Sequence, residues 1–321
     1  MLLAAAAAVV ASTIGRFLLL PGPGPALQAA YPVMVGVGVL ILPGLVVGRH
    51  RLVALLTAPA VLYGLAMGVG SLRDRTVPAG RDDLVVMSLN MFHGKADAAA
   101  IVAEVGRIRP HVLVLVETDT GAVARLRAAG LDQMLPNQVG RTAAGEWEAG
   151  TTLIRARIPL SEVPPTDTQV SPADPADPVA RVRHAGGELL LRGSHPQSPG
   201  LLLSGSWRRE LAALGEWISE QPTDVPLIVA GDLNSSSVHR AFRDATRGLQ
   251  DAHDATGAGW VRTWPLGLPV PPFVHLDHVL VRGFGVVDAG LFVVSGTDHA
   301  GVWARLSPAS PGVASPRSSG G

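Results

Sequence analysis

The chain has 321 residues, 47% hydrophobic and 16% charged, with 26 Lys+Arg against 26 Asp+Glu and no cysteine. That apolar content excludes a chain disordered throughout, and the lack of cysteine excludes a disulfide framework or a thiolate metal site. The charges are unevenly spread: residues 1–72 hold only Arg16, Arg49 and Arg51 and no Asp, Glu or Lys, leaving 23 basic and 26 acidic side chains, a net of −3, from residue 73 onward.

The first part has the composition of a bilayer segment. Residues 26–47 (ALQAAYPVMVGVGVLILPGLVV) carry no charge over 22 positions, and 52–69 (LVALLTAPAVLYGLAMGV) none over 18. At about 1.5 Å per residue, each helix covers roughly the 30 Å of a hydrocarbon core. Pro32, Pro43 and Pro59 are tolerated in spanning helices whose neighbours satisfy the freed carbonyls. Residues 2–20 form a third candidate span, with Arg16 near its end, able to snorkel to the headgroups. A signal peptide is the rival reading of 2–11, but it lacks a basic n-region and is followed by two further apolar segments. PGPGP (21–25) and GRHR (48–51) are then the connecting loops. Residues 1–71 therefore read as a transmembrane region of about three helices in contact with membrane lipid. Positive-inside counting puts the Arg49, His50 and Arg51 turn in the cytoplasm. A multi-pass protein of the cell membrane follows, with its catalytic part outside the cytoplasm, although Arg73, Arg75 and Arg81 count the other way.

Residues 72–82 form a polar linker with Pro78 and Gly80, and residues 308–321 a low-complexity tail expected to be disordered. Between them, 83–307 suits one large domain. Its short, near-continuous apolar runs predict strands at 84–89, 112–116, 151–155, 188–193, 227–231, 278–283 and 302–306. Helical patterns fall at 97–108, at 118–129 and at 206–220, where Trp207, Leu211, Leu214 and Ile218 share one face behind Ser206 as N-cap. The stretch 166–178, dense in Pro and Asp, reads as a surface loop. Alternating strands and helices followed by strand-rich sequence imply α/β or α+β layering.

Nearly every predicted strand is flanked by a polar residue of a chosen kind. Asn90 and Glu117 close the first two, His195 follows the fourth, and Asp232 with Asn234 closes the fifth; Asp277 precedes the sixth, and Asp298 with His299 precedes the last. Strand ends are where loops converge on a rigid frame. Carboxylates and amide oxygens without thiolates suit a hard cation, Mg²⁺ or Mn²⁺. Such a cation beside imidazoles and an Asp/Asn pair is what phosphoester hydrolysis requires.

The ordered series SLN (88–90), VLVLVE (112–117), SHP (194–196), AGDLN (230–234), LDHVLV (276–281) and TDH (297–299) resembles the endonuclease/exonuclease/phosphatase superfamily in a membrane-anchored bacterial form. The likeness covers roughly 82–306 and leaves out the N-terminal helices. It implies a four-layered α/β sandwich, two mixed sheets between helices. It also implies that Glu117, aided by Asn90, binds the divalent metal, with Asp298 close to it. Asp232 would position or activate the attacking water and Asn234 orient it, while His299, paired with Asp277, and His195 would contact the phosphate. Two departures stand out: His278 follows Asp277, read as a neighbour rather than a catalyst, and Leu233 replaces the commoner Phe.

His93, His253 and His275 read as structural or solvent-facing, with a place in a substrate groove as the alternative, and Trp264 as a packed loop anchor, with a substrate platform as the alternative; Trp147 and Trp260 show no pattern, and RVRH (181–184) and WRRE (207–210) read as solvated faces. The function implied is a membrane-anchored, divalent-metal-dependent phosphodiesterase or phosphatase acting on nucleic acid, a phospholipid headgroup or a small phosphoester. The acidic balance beyond residue 73 speaks against a nonspecific nuclease. The alternatives are a non-catalytic membrane protein that keeps the fold for binding, and a serine hydrolase using Ser235, Ser236 or Ser237, which lacks a G-x-S-x-G elbow.

Overall fold

The computed structural model describes residues 1–140, 142, 151–164, 177–185, 187–200 and 203–309. All but the first two residues of the predicted tail, nearly all of the 166–178 loop, and Trp147 lie outside these residues; Pro308, placed in the tail by the sequence reading, closes the last strand.

Four helices come first: α1 (Leu2–Gly15), α2 (Gly24–Ala29), α3 (Tyr31–Val47) and α4 (Arg51–Gly70). The first three differ from the apolar runs that predicted them, whereas α4 covers the whole of residues 52–69. The first run stops at Gly15, and the second is divided at Ala30, with Pro32 in the first turn of α3. Among the described residues, only α4 is both long and apolar enough to cross a bilayer; α1 and α3 are shorter apolar helices. The three pack on one another through small residues: a methyl group on Gly38 would meet Val61 and Val9, and one on Gly64 would meet Val35. Their outward faces are apolar, with Leu40 81% and Val47 83% exposed.

The α/β domain follows as β1 (Leu84–Asn90), α5 (Ala98–Ile108), β2 (Val112–Val116), α6 (Thr120–Ala128), α7 (Leu131–Met134), β3 (Asn137–Val139) and β4 (Leu153–Ala156). The second half comprises β5 (Leu160–Glu162), β6 (Val179–His184), β7 (Gly187–Gly193), α8 (Ser204–Glu220), β8 (Leu227–Asp232) and α9 (Arg240–Ala245). It ends with β9 (Gln250–Asp251), α10 (Ala252–Ala255), β10 (Asp277–Arg282), β11 (Phe284–Phe292) and β12 (Gly301–Pro308). Two six-stranded sheets result, in the orders β11-β12-β1-β2-β4-β3 and β5-β6-β7-β8-β10-β9. Each is mixed: β1 with β2 and β7 with β8 run parallel, and the other pairs antiparallel.

The sheets face each other across a core that joins Val86, Val114 and Ile154 to Leu191, Ile228 and Val279. The outer face of the first sheet packs on α5 and α6 through Leu89, Ile101, Leu113 and Leu126, and that of the second on α8 through Leu190, Leu214, Trp217 and Val229. This is the four-layered sandwich expected from the sequence. All residues of β2, β4 and β8 are buried, which explains their unbroken apolar runs.

Helix boundaries are set by caps. The Asp97 side chain accepts from Ala100 N to start α5, and Asp119 accepts from Ala122 N to start α6, so α6 begins at Thr120 rather than 118. Ser206 is not an N-cap: α8 begins at Ser204, and the Ser206 hydroxyl donates to Leu203 O at 3.0 Å inside the first turn.

The linker lies along the domain as a strap. Arg75 N donates to Ala255 O at 2.7 Å, Val77 N to Val286 O at 2.8 Å, and Asp74 bridges to Thr256.

Candidate active site

The two parallel strand pairs direct their C-terminal ends to one end of the sandwich. There the backbone turns sharply: Phe92, His93, Glu117 and Asn234 all take left-handed φ values between 46° and 54°. Non-glycine residues in that region are strained, and they persist where the surrounding structure fixes them. At Glu117 the turn swings the carboxylate back over the end of β1, where Asn90 Nδ2 donates to Oε1 at 2.9 Å and His93 N to Oε2 at 2.9 Å. At Asn234 the turn is closed by its own N–H on Asp232 Oδ1 at 2.7 Å.

Asp232 is 1% exposed. Its Oδ2 accepts from Asn90 Nδ2 at 3.0 Å and lies 3.8 Å from His195 Nε2 and 3.7 Å from His299 Nε2. His195 Nε2 is also 3.5 Å from Glu117 Oε1, so Glu117, His195 and Asp232 turn three ligand-type atoms toward one point. His299 Nδ1 meets Asp277 Oδ2 at 2.8 Å, and Asp277 stands opposite Asp232 in the antiparallel ladder of β8 and β10. Burial disfavours charge on His299, but the Asp277 and Asp232 carboxylates outweigh it and hold its pKa at about 10. His299 is thus an imidazolium braced from behind, with its Nε2 face turned to the cleft. The Asn234 side chain donates to Pro196 O at 2.9 Å and approaches His195 Nε2 at 3.3 Å.

The structure brings the predicted site residues to one end of the sandwich. Glu117, His195, Asp232, Asn234, Asp298 and His299 line a single cleft of about 790 Å³, with Asp277 buried directly behind. Asn90 is placed differently from a simple ligand. Its Oδ1 accepts from Phe92 N at 2.8 Å while its amide bridges Glu117 and Asp232, so it spaces the two carboxylates. Asp298 is held by Trp264 Nε1 on Oδ2 at 3.1 Å, and its Oδ1 is buried without a hydrogen-bond partner.

Three further residues contribute: for Trp264 and His93 the structure favours the less preferred of the two sequence readings, and Asp177 was not anticipated. Trp264 lines the cleft and anchors Asp298, so it is more than a packed loop anchor. His93 was read as structural or solvent-facing, yet it lines the cleft with Nδ1 at 3.4 Å from Glu117 Oε2. Asp177, from the end of the Pro/Asp-rich stretch, is buried beneath His195: its carboxylate accepts from His195 N at 3.0 Å, Ser194 Oγ at 2.6 Å and Arg192. Nothing in its local sequence marks it. His278, as expected, points away from the cleft, to Asp251 and Ser235 O.

The N-terminal helices complete the cleft, with Pro25, Ala26 and Ala29 forming part of its wall. They are held by cations reaching their backbone: Arg243 to Arg16 O at 2.6 Å, Arg240 to Phe17 O at 3.1 Å and Arg208 to Leu20 O at 3.1 Å. His239 Nε2 donates to Pro25 O at 2.9 Å. Arg16 does not snorkel outward. It is 3% exposed, lies over the rings of Tyr31 and Tyr63, and donates to Ser237 O at 3.2 Å.

The donor set fits a divalent cation: Glu117, His195 and Asp232 converge, and Asp298 Oδ1, which has no hydrogen-bond partner and lies 3.9 Å from His299 Nε2, belongs to a residue of the same cleft.

The Endonuclease/Exonuclease/phosphatase family profile matches residues 87–299, from within β1 to His299. No curated protein matches the chain in sequence. Among solved structures, D. rerio TDP2 humanized by 14 mutations is similar with TM-score 0.55 and 18% identity, over 70% of this chain and 99% of that one. D. rerio TDP2 complexed with a single-strand DNA product gives 0.54 and 20%, over 70% and 99%. The endonuclease/exonuclease/phosphatase from Beutenbergia cavernae DSM 12333 gives 0.53 and 20%, over 73% and 74%. At these identities the likeness is one of fold.

Proposed function

The chain belongs to the endonuclease/exonuclease/phosphatase family, and on that premise we propose that it is a divalent-metal-dependent phosphoester hydrolase anchored in a membrane, acting on phosphoesters carried at the lipid surface. The observation that carries the hydrolase reading is the convergence of Glu117, His195, Asp232, Asn234 and His299 on one cleft.

Glu117, with Asp298 near it, would hold a cation such as Mg²⁺ or Mn²⁺, which would neutralise phosphate charge. The remaining work falls to the chain's own residues. Asp232, with Asn234 anchored on its Oδ1, orients the attacking water and accepts its proton. His299, kept positive by Asp277, donates from Nε2 to a phosphoryl oxygen as charge builds there. His195, fixed through its backbone by Asp177, contacts the same phosphate from the other side.

The anchoring proposal rests on the apolar outward faces of α1, α3 and α4. Residues 16–25 and the end of α4 both meet the catalytic domain, whereas the Arg49–Arg51 turn caps the opposite end of the bundle. Positive-inside counting from that turn places the cleft outside the cytoplasm.

The lipid-surface substrate rests on Pro25, Ala26 and Ala29 in the cleft wall, which set the scissile group beside the bundle, and on the acidic balance beyond residue 73, which offers little to a long phosphate backbone. The serine-hydrolase alternative finds no support: His239, beside Ser235 and Ser236, accepts from Ser236 N and donates to Pro25 O. The test is a panel of phospholipid in mixed micelles, single- and double-stranded DNA, RNA and small phosphoesters, with Mg²⁺ and with EDTA. Turnover highest on the micellar lipid supports the reading. Turnover on nucleic acid alone replaces the substrate, and none on any substrate favours the non-catalytic binding alternative.

A further inference from the structure

A second cluster of ligand-type side chains lies outside the cleft, on the far side of β10. Asp251 ends β9, His253 stands in α10, and His275 lies two residues before β10. One ligand-type atom from each falls within 4.8 Å of the others, and none of the three lines the cleft.

The surroundings of His253 and His275 leave one ring nitrogen of each buried without a hydrogen-bond partner. His253 Nε2 meets Gly290 O at 3.2 Å, which fixes the proton on that nitrogen and leaves Nδ1 bare. His253 Nδ1 is 3.8 Å from Asp251 Oδ1 and, like His275 Nε2, is buried without a hydrogen-bond partner. Side chains of His253 and Asp251 are 2% and 8% exposed. Asp251 Oδ2 is taken by His278 Nδ1 at 2.6 Å, and His278 Nε2 donates in turn to Ser235 O at 2.9 Å. The second carboxylate oxygen, Oδ1, accepts from His253 N at 2.9 Å as the N-cap of α10, and its remaining lone pair is left for the side of His253 Nδ1, 3.8 Å away. Burial keeps His253 and His275 neutral, the state in which imidazole ligates.

Imidazole ligands with the opposite ring nitrogen held by a backbone carbonyl, and a ligating carboxylate held by an outer histidine, are the usual supporting shell of a metal site. A hydrogen-bonded structural cluster explains Asp251 and His278, but it gives no account of two buried nitrogens left unpaired side by side.

We propose that Asp251, His253 and His275 form a second metal site, for a borderline transition ion of the Zn²⁺ type. Two nitrogens and one carboxylate oxygen favour such an ion over Mg²⁺. Its place in the fold is structural. It ties α10 to the strand end that carries Asp277, next to the point where the linker strap docks through Arg75 on Ala255 O. The site does not depend on the hydrolase reading.

Co²⁺, whose ligand-field bands report a low-symmetry nitrogen-oxygen site, is the probe. The full chain in detergent is stripped with EDTA, saturated with Mg²⁺ and titrated with Co²⁺. The expected result is one equivalent of Co²⁺ with intense visible bands, displaced by Zn²⁺. The bands survive in Glu117→Ala/Asp232→Ala and are lost in His253→Gln and in His275→Gln. His275 is only partly buried as a residue, so its variant carries the test should His253→Gln fail to fold. Absence of bands in the unaltered chain, bands that persist in His275→Gln, or bands lost only in the Glu117/Asp232 variant would overturn the proposal.

Discussion

His299 shows how one residue's chemistry is set by its neighbours. Asp277 holds Nδ1 at 2.8 Å, and Asp232 lies 3.7 Å from Nε2, so the imidazole carries a proton against the cost of its burial. Because its folded pKa of about 10 lies above the unfolded value of 6.5, the stabilisation from its charge is complete below pH 6.5 and is lost as pH rises through 10. In metal-free protein, urea midpoints should therefore fall from pH 7 to pH 10 more steeply in the unaltered chain than in His299→Gln; equal slopes would contradict the assigned charge. Glu117→Ala and Asp232→Ala should each lower kcat/KM by about 10²- to 10⁴-fold with the circular dichroism spectrum unchanged. Of the candidate residues, those at strand ends were legible because their flanking strands were. Asp177 was not, and His93 and Trp264 were so only as the less preferred reading, since each reaches the site through a loop whose path depends on tertiary packing.

At the scale of elements, the site depends on how closely strand β8 approaches the segment after β7. Gly231 has φ 151°, and a methyl group built there would lie 1.9 Å from Ser194 O. Gly231→Ala must push apart the segments carrying His195 and Asp232. It should cost about 1–3 kcal/mol or more, read as a lowered thermal midpoint, together with lost activity; a variant with unaltered midpoint would refute this close packing. Strands buried on both faces were legible as apolar runs, and β1, β2, β8 and β12 fell within two residues of prediction. The edge strand β5, the paired β6 and the long β11 were missed. In β6, VARVRH alternates buried and exposed residues only at its end, and β11 carries two glycines and an aspartate, so neither gives a clean two-residue period. The β9 pair is too short for any pattern.

For the whole molecule, the uneven charge of the sequence marks a functional division. The charge-poor helices are joined to the domain by four arginines, Arg16, Arg208, Arg240 and Arg243, all bonded to backbone carbonyls across the junction. The sequence separated the two parts but gave no sign that the helices would wall the cleft, because those contacts link residues some two hundred positions apart. If the bundle is the anchor, the chain should sediment with membranes and resist carbonate extraction, and a reporter fused at residue 75 should report an extracytoplasmic position; release by carbonate or a cytoplasmic signal would overturn the anchoring or the orientation. The central claim is that one cleft performs metal-dependent phosphoester hydrolysis. Its most direct test is the initial rate of phosphodiester cleavage by the purified full chain with Mg²⁺, after EDTA, and in Glu117→Ala. The account predicts turnover that EDTA abolishes, that added Mg²⁺ restores, and that Glu117→Ala lacks. Turnover indifferent to both EDTA and Glu117→Ala would contradict it.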